Sequence, residues 1–362
     1  MRKRLIFLLT LSLFIISCVA LPAATALPPA TVKPDSASPE PATIAPMEPA
    51  KPSTSPAAQH LGRGINFGNT LEAPNEGEWG FKIEEKHIEA IKNAGFDYIR
   101  LPIRWNAHAE WAAPYTIDPT FFTRIDEIVG WALKRGLKIS INIHHYEEMA
   151  SDPWANEERF IGLWMQIAEH YQNYPPELVF ELMNEPNNQM NAALWNFIQN
   201  RALSVVRTSN PTRDVIIGPI MWNSYEWLNT LDLPPNDPHI IATFHYYLPF
   251  EFTHQGAEWV EGSDDFLGSQ WAGSAAEQAN IRAHFDVAQA WAERHNVPIL
   301  LGEFGAYSKA PQDSRLRWMS FVAREAEARR FAWAYWEFGA GFSLYDLETD
   351  QWRSDMLKAL IP

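Results

Sequence analysis

The sequence predicts a (β/α)8 barrel of the TIM type, and three observations lead there. Past residue 60, short apolar runs alternate eight times with longer amphipathic stretches, the rhythm of parallel strands joined by crossover helices. Residues 61–362 have the ordinary length of such a barrel. Nearly every apolar run ends in a polar or charged residue, and strand ends are where barrels of this type carry their chemistry.

The expected strands are Arg63–Phe67, Tyr98–Pro102, Lys138–Ile143, Leu178–Leu182, Asp214–Pro219, Ile240–Phe244, Ile299–Gly302 and Phe331–Trp336. Each is too short and too uniformly apolar for an amphipathic helix. Between them, apolar residues recur at helical spacing over Lys82–Ala94, Pro119–Arg135, Asn156–Tyr171, Ala192–Thr208, Ala275–Arg294, Asp313–Arg329 and Ser354–Ile361. An open doubly wound sheet is the competing architecture. Its dinucleotide loop is missing, because in Gly62-Arg63-Gly64-Ile65-Asn66-Phe67-Gly68 the third glycine falls one position late. No Walker A loop, H-E-x-x-H pair or G-x-S-x-G elbow is present in the sequence.

The start of the chain has a different character. Met1-Arg2-Lys3-Arg4 is basic and precedes an apolar run, Leu5–Ile16, much shorter than a bilayer span, which predicts an export signal over residues 1–17. The run closes on Ser17-Cys18, which resembles a bacterial lipobox, so Cys18 is the expected lipid anchor. Cys18 is the only cysteine, and no disulfide can form within one molecule. Residues 18–60 are rich in Pro, Ala, Ser and Thr, with no aromatic residue, and predict a semi-rigid tether without a core. The expectation is an exported protein of the bacterial envelope, catalytic over 61–362.

Residues 1–60 carry five basic and three acidic side chains, so residues 61–362 hold a net −17 against −15 for the whole chain. Such a body repels nucleic acid and anionic lipid, and a neutral partner such as carbohydrate is favoured. No cofactor or metal is expected, and a monomer is.

Two strand ends bear a lone carboxylate after a strongly apolar run, Glu185 in Asn184-Glu185-Pro186 and Glu303 in Gly302-Glu303-Phe304-Gly305. Strands four and seven lie across an eight-stranded barrel from one another. Glycosidic hydrolysis needs one carboxyl group to protonate the leaving oxygen and a second to meet the oxocarbenium-like centre, and these two glutamates suit that need. Arg100 is placed to keep Glu303 ionised, with Tyr247 donating to the same carboxylate, while His245 orients the acid and Asn184 serves a sugar 2-hydroxyl. Trp222, Trp259 and Trp336 lie on or after strand ends and offer indole faces to sugar rings. His144-His145 also allows a metal-dependent hydrolase, although adjacent strand residues point to opposite faces.

Together with Arg100, His144, His245, Tyr247 and Trp336, the two glutamate motifs resemble glycoside hydrolase family 5 from about Leu61 to the C-terminus. The likeness is strongest to its bacterial endoglucanases from thermophiles, through Gly64-Ile65-Asn66, Asn69-Thr70-Leu71-Glu72-Ala73-Pro74, His144-His145-Tyr146-Glu147-Glu148 and Phe250–Trp259. The resemblance implies Glu185 as acid/base and Glu303 as nucleophile. It further implies Asn69, Glu72, His144, His145, Trp222, His254, Trp259, Trp336 and Glu337 as sugar contacts, and β-glucan or mannan as substrate. One departure stands out: Asn187 follows the Asn-Glu-Pro segment where relatives often carry histidine. The functions expected are an endo-β-1,4-glucanase, a β-mannanase of the same family, or a surface lipoprotein that binds glycans on an enzyme scaffold.

Overall fold

The computed structural model describes residues 61–362; the expected signal (1–17), the tether (18–60) and Cys18 lie outside the described residues. Eight strands, β1 (Arg63–Asn66), β2 (Tyr98–Leu101), β3 (Lys138–Asn142), β4 (Leu178–Glu181), β5 (Val215–Ile217), β6 (Ile240–Tyr246), β7 (Ile299–Phe304) and β8 (Ala332–Tyr335), form a closed barrel in sequence order. Every pairing is parallel, and β1 bonds both β2 and β8, so no edge is left open.

The period of two along each strand divides the molecule into two cores. One face of each strand joins the large cluster packed beneath the helices, for example Ile99, Ile139, Phe180 and Leu301. The other face builds a separate small cluster of Leu61, Tyr98, Val179, Ile216, Ile241, Leu300, Ala332 and Ala334, an apolar floor inside the barrel. Two residues further along β2, β4 and β7 stand Arg100, Glu181 and Gly302, and beyond them the mouth. Floor, charged layer and mouth are thus written into three strands at a spacing of two.

The helices start where local chemistry satisfies their free amides. The helix Pro119–Lys134 has Asp118 accepting from Thr120 N at 2.8 Å with Pro119 in its first turn. The helix Pro153–His170 begins three residues earlier than its hydrophobic period suggests. Asp152 caps Ala155 N at 3.2 Å and Pro153 occupies the first position, where its missing N–H costs nothing. Ser274 and Glu277 form a reciprocal capping box for Ala275–His295, which ends at Asn296 in left-handed backbone.

Two strands run longer than their apolar stretches. The sequence reading ends β6 at Phe244 and β7 at Gly302, whereas pairing continues to Tyr246 and Phe304. A register shift between Phe244 and His245 brings His245 opposite Glu303. The last polar residues are therefore held by sheet hydrogen bonds rather than by loops, which fixes them more rigidly than a strand-then-loop reading implies.

Ile241→Ala, which opens a cavity in the floor, is expected to cost about 2–5 kcal/mol. Chemical denaturation should show the lower midpoint, with the specific activity of the folded fraction retained.

Candidate active site

At the centre of the mouth, Arg100 is fully buried and every N–H of its guanidinium has a partner. Nε and Nη2 fork onto the two oxygens of Glu181, each at 2.6 Å. Nη1 donates to Glu303 Oε1 at 2.6 Å and to Asn66 Oδ1 at 2.9 Å, and Nη2 also donates to Asn184 Oδ1 at 2.6 Å. A planar five-donor cation suits this crossing of β1, β2, β4 and β7, because lysine has neither the fork nor the reach. Asn66 completes the layer by donating from Nδ2 to the carbonyls of Gly302, Ala334 and Tyr335 at 3.1–3.2 Å.

Above this layer the two glutamates meet. Ligand atoms of Glu185, His245 and Glu303 all lie within 4.8 Å of one another, which bounds the gap between the carboxylates. His245 Nδ1 sits 2.7 Å from Glu185 Oε1 and 3.6 Å from Glu303 Oε2. Tyr247 donates its hydroxyl to Glu303 Oε2 at 2.8 Å.

Their surroundings differ in kind. Burial pushes Glu185 up to about 8 against the more distant pull of Arg100, which donates no hydrogen bond to it. Burial raises Glu303 as well, but Arg100 and the Tyr247 hydroxyl, both in direct contact, work to restore its charge. The proton shared by the pair accordingly belongs on Glu185. His245 is itself driven down to about 4 by burial, and the ring is neutral at neutral pH.

The walls are aromatic. Trp336 stacks on His144 at 5.6 Å and 12°, and His144 Nδ1 meets Asn142 Nδ2 at 3.2 Å. His145 crosses His144 at 89° and packs on Trp79 instead, so the two histidines serve different neighbours. His254 stacks on Phe250 at 4.2 Å and borders Tyr247 and Trp259. Trp222 and Trp259 stand 50% and 60% exposed, and Asn69 is partly exposed in left-handed backbone at φ 62°.

Two of the acids expected as sugar contacts are buried and turned onto loop backbone. Glu72 is buried and accepts from the amides of Asn69 and Thr70, and Glu337 is fully buried, accepting from Gly339, Ala340 and Phe342 at 2.7–3.0 Å. Both are loop fasteners. They hold Asn69 and the segment after Trp336 from beneath, because irregular backbone inside a protein needs an acceptor for its amides. Burial lifts Glu72 to about 8 and Glu337 to about 7.

Glu181, Asn66, Asn223 and Trp79 are site residues to which the sequence assigned no role, although Asn223 lies at the polar end of the fifth apolar run. Glu181 had a signal: an acid inside the apolar run Leu178–Leu182 demands a buried cation. Asn66 stood inside a quoted motif, whereas Asn223 and Trp79 lie in segments without regular pattern.

A closed barrel that sets two carboxyl groups in unlike surroundings within a few ångströms at its mouth, between indole walls, defines a glycoside hydrolase. Residues 62–341 match the model of the cellulase family, glycosyl hydrolase family 5, and the chain belongs to that family. It is similar to Thermotoga maritima Cel5A, solved in complex with cellobiose, at 49% identity and a TM-score of 0.83, covering 84% of this chain and 98% of that one. A cellulose synthase subunit Z from Clostridioides difficile shares 39% identity and a TM-score of 0.81 over 83% of this chain and all of its own. Endoglucanase H of Acetivibrio thermocellus is 37% identical over 85% of this chain and 34% of its own length. The chain thus spans about a third of that relative, and of the cellulase/esterase CelE from the same organism.

Glu181→Ala leaves the buried Arg100 without its forked partner, and the expected loss is about 3–5 kcal/mol of stability. Equilibrium unfolding of the variant measures it. A cost under about 1 kcal/mol would mean that the charged layer is not the scaffold of the site.

Proposed function

We propose that the chain is a retaining endo-β-1,4-glucanase that also accepts mannan. The observation that carries the reading is the gap of at most 4.8 Å between carboxylate oxygens of Glu185 and Glu303. Direct attack on the sugar suits carboxyl groups about 5–5.5 Å apart, whereas an inverting water needs about 6.5–9.5 Å.

In the first step Glu185 gives its proton to the glycosidic oxygen while Glu303 attacks the anomeric carbon. The bond to the leaving sugar breaks and a glycosyl ester forms on Glu303. In the second, ionised Glu185 takes a proton from water, whose oxygen displaces the Glu303 carboxylate with a second inversion, so the net configuration is retained. Arg100 and Tyr247 stabilise Glu303 as it leaves. Asn184, its Oδ1 held by Arg100, keeps its amide N–H groups for a 2-hydroxyl. Trp336, fixed by its stack on His144, offers an indole face to the reacting sugar's apolar C–H surface.

Support for β-glucan comes from the relatives, several of which are named endoglucanases, and support for mannan from Thermotoga maritima Cel5A, 48% identical and also solved with mannotriose. The proposal extends to the chain's start, with Cys18 lipidated and the enzyme exported to the cell envelope. Partition into a detergent phase, lost in Cys18→Ala, tests that part.

Glu303→Gln is expected to lose at least about 10³-fold in kcat on β-glucan while still binding oligosaccharide, and NMR of the wild-type product should show the β-anomer first. Near-normal turnover by Glu303→Gln, or initial release of the α-anomer, would sink the mechanism. Because Glu185 must start protonated, kcat/KM should fall as pH rises through its value near 8, and that limb should vanish in Glu185→Gln assayed on a substrate with an activated leaving group.

A further inference from the structure

We infer that Asn223 is a positioning residue that fixes the tautomer of His245 and, through it, the proton affinity of Glu185; the inference rests on the acid/base role proposed above. Asn223 is fully buried and is the third of three consecutive residues in left-handed backbone, after Met221 (φ 58°) and Trp222 (φ 56°), with its own φ at 55°. Such a run is uncommon for residues bearing a Cβ and persists only where surrounding contacts hold it. What it achieves is the placement of one amide group.

Asn223 Nδ2 donates to the main-chain carbonyl of Asn184 and lies 3.3 Å from His245 Nε2. Exchanging the amide's oxygen and nitrogen would set Oδ1 against that carbonyl, two acceptors in contact, so only one orientation is allowed. Among the described residues Oδ1 has no hydrogen-bond partner, and it abuts Gly218, where an added Cβ would come within 2.1 Å of it. The amide therefore offers a donor to Nε2, and Nε2 must be the bare nitrogen of a neutral ring. The ring proton is then on Nδ1, 2.7 Å from Glu185 Oε1.

The choice of tautomer has a sign. An Nδ1–H donated to Glu185 favours the carboxylate and lowers its pKa, whereas a bare Nδ1 would accept from the Glu185 acid and hold its proton in place. Burial has already pushed Glu185 up to about 8. Asn223 restrains any further rise, so that the same group releases a proton in one step and recovers it in the next. The charged and titratable groups around His245 are Glu185, Glu303, Arg100, Glu181 and His144. Burial holds the ring neutral among them, leaving its tautomer as the variable that Asn223 sets.

The test uses the wild-type enzyme and Asn223→Gly, since glycine accepts a φ of 55° without strain and removes only the amide. Two-dimensional ¹⁵N NMR of histidine-labelled protein, with His245 assigned by its loss in His245→Asn, should show a protonated Nδ1 and a bare Nε2 in the wild type. In Asn223→Gly both tautomers should appear, the alkaline limb of kcat/KM should move up by about one pH unit, and kcat/KM near neutrality should fall roughly 10-fold. A wild-type ring protonated on Nε2 overturns the inference, as does an Asn223→Gly enzyme that is slower with an unmoved pH profile. Wild-type protein with the expected tautomer but no activity on β-glucan or mannan would instead overturn the acid/base role of Glu185, so the two failures are told apart.

Discussion

The site depends on one buried cation. Arg100 lies where water cannot solvate it, and it is tolerable there only because Glu181, Glu303, Asn66 and Asn184 take up all five of its N–H groups. The same bonds align Glu303, orient Asn184 beside Glu185 and tie four strands into one register. Charge balance within the layer also explains why Glu185 and Glu303 differ. Arg100 donates directly to Glu303 and not to Glu185, so a barrel mouth of near-uniform burial still gives its two carboxyl groups different surroundings.

Above that layer, rigidity is supplied by fastening rather than by regular structure. Glu72 and Glu337 each collect two or three backbone amides from the loops after β1 and β8, and those loops carry Asn69 and Trp336. Buried acids under irregular loops do for this backbone what strand neighbours do for β6 and β7. His144 against Trp336 adds a stacked contact, and Gly68 leaves room for the same indole, since a Cβ there would come within 2.7 Å of it.

The barrel was legible because its strands are buried on both faces and read as apolar runs of strand length, and because the helices between them repeat at their own period. Boundaries slipped where a cap outweighs the period, as at Pro153, or where pairing continues through polar residues, as at His245 and Glu303. That Glu185 and Glu303 meet at the mouth could be read from sequence, since each closes an apolar strand and the two strands face one another across the barrel. The loop bonds of Glu72 and Glu337 were hidden for a related reason: an acid near a strand end looks alike in sequence whatever it faces, and only the folded backbone shows which amides it accepts from. The role of Asn223 had no sequence signal, because its value lies in a left-handed turn and in the nitrogen it faces across space.

The apolar floor has a consequence for the traffic of turnover. Tyr98, Val179, Ile216, Ile241 and Leu300 are at most 2% exposed, and the ionic layer rests on them, so the barrel is a blind cup. Water and protons exchanged with the buried carboxyl groups share one entrance, the mouth between the aromatic walls. Whatever chain lies across that entrance also closes it, and water then reaches Glu303 only along a side that the chain leaves open.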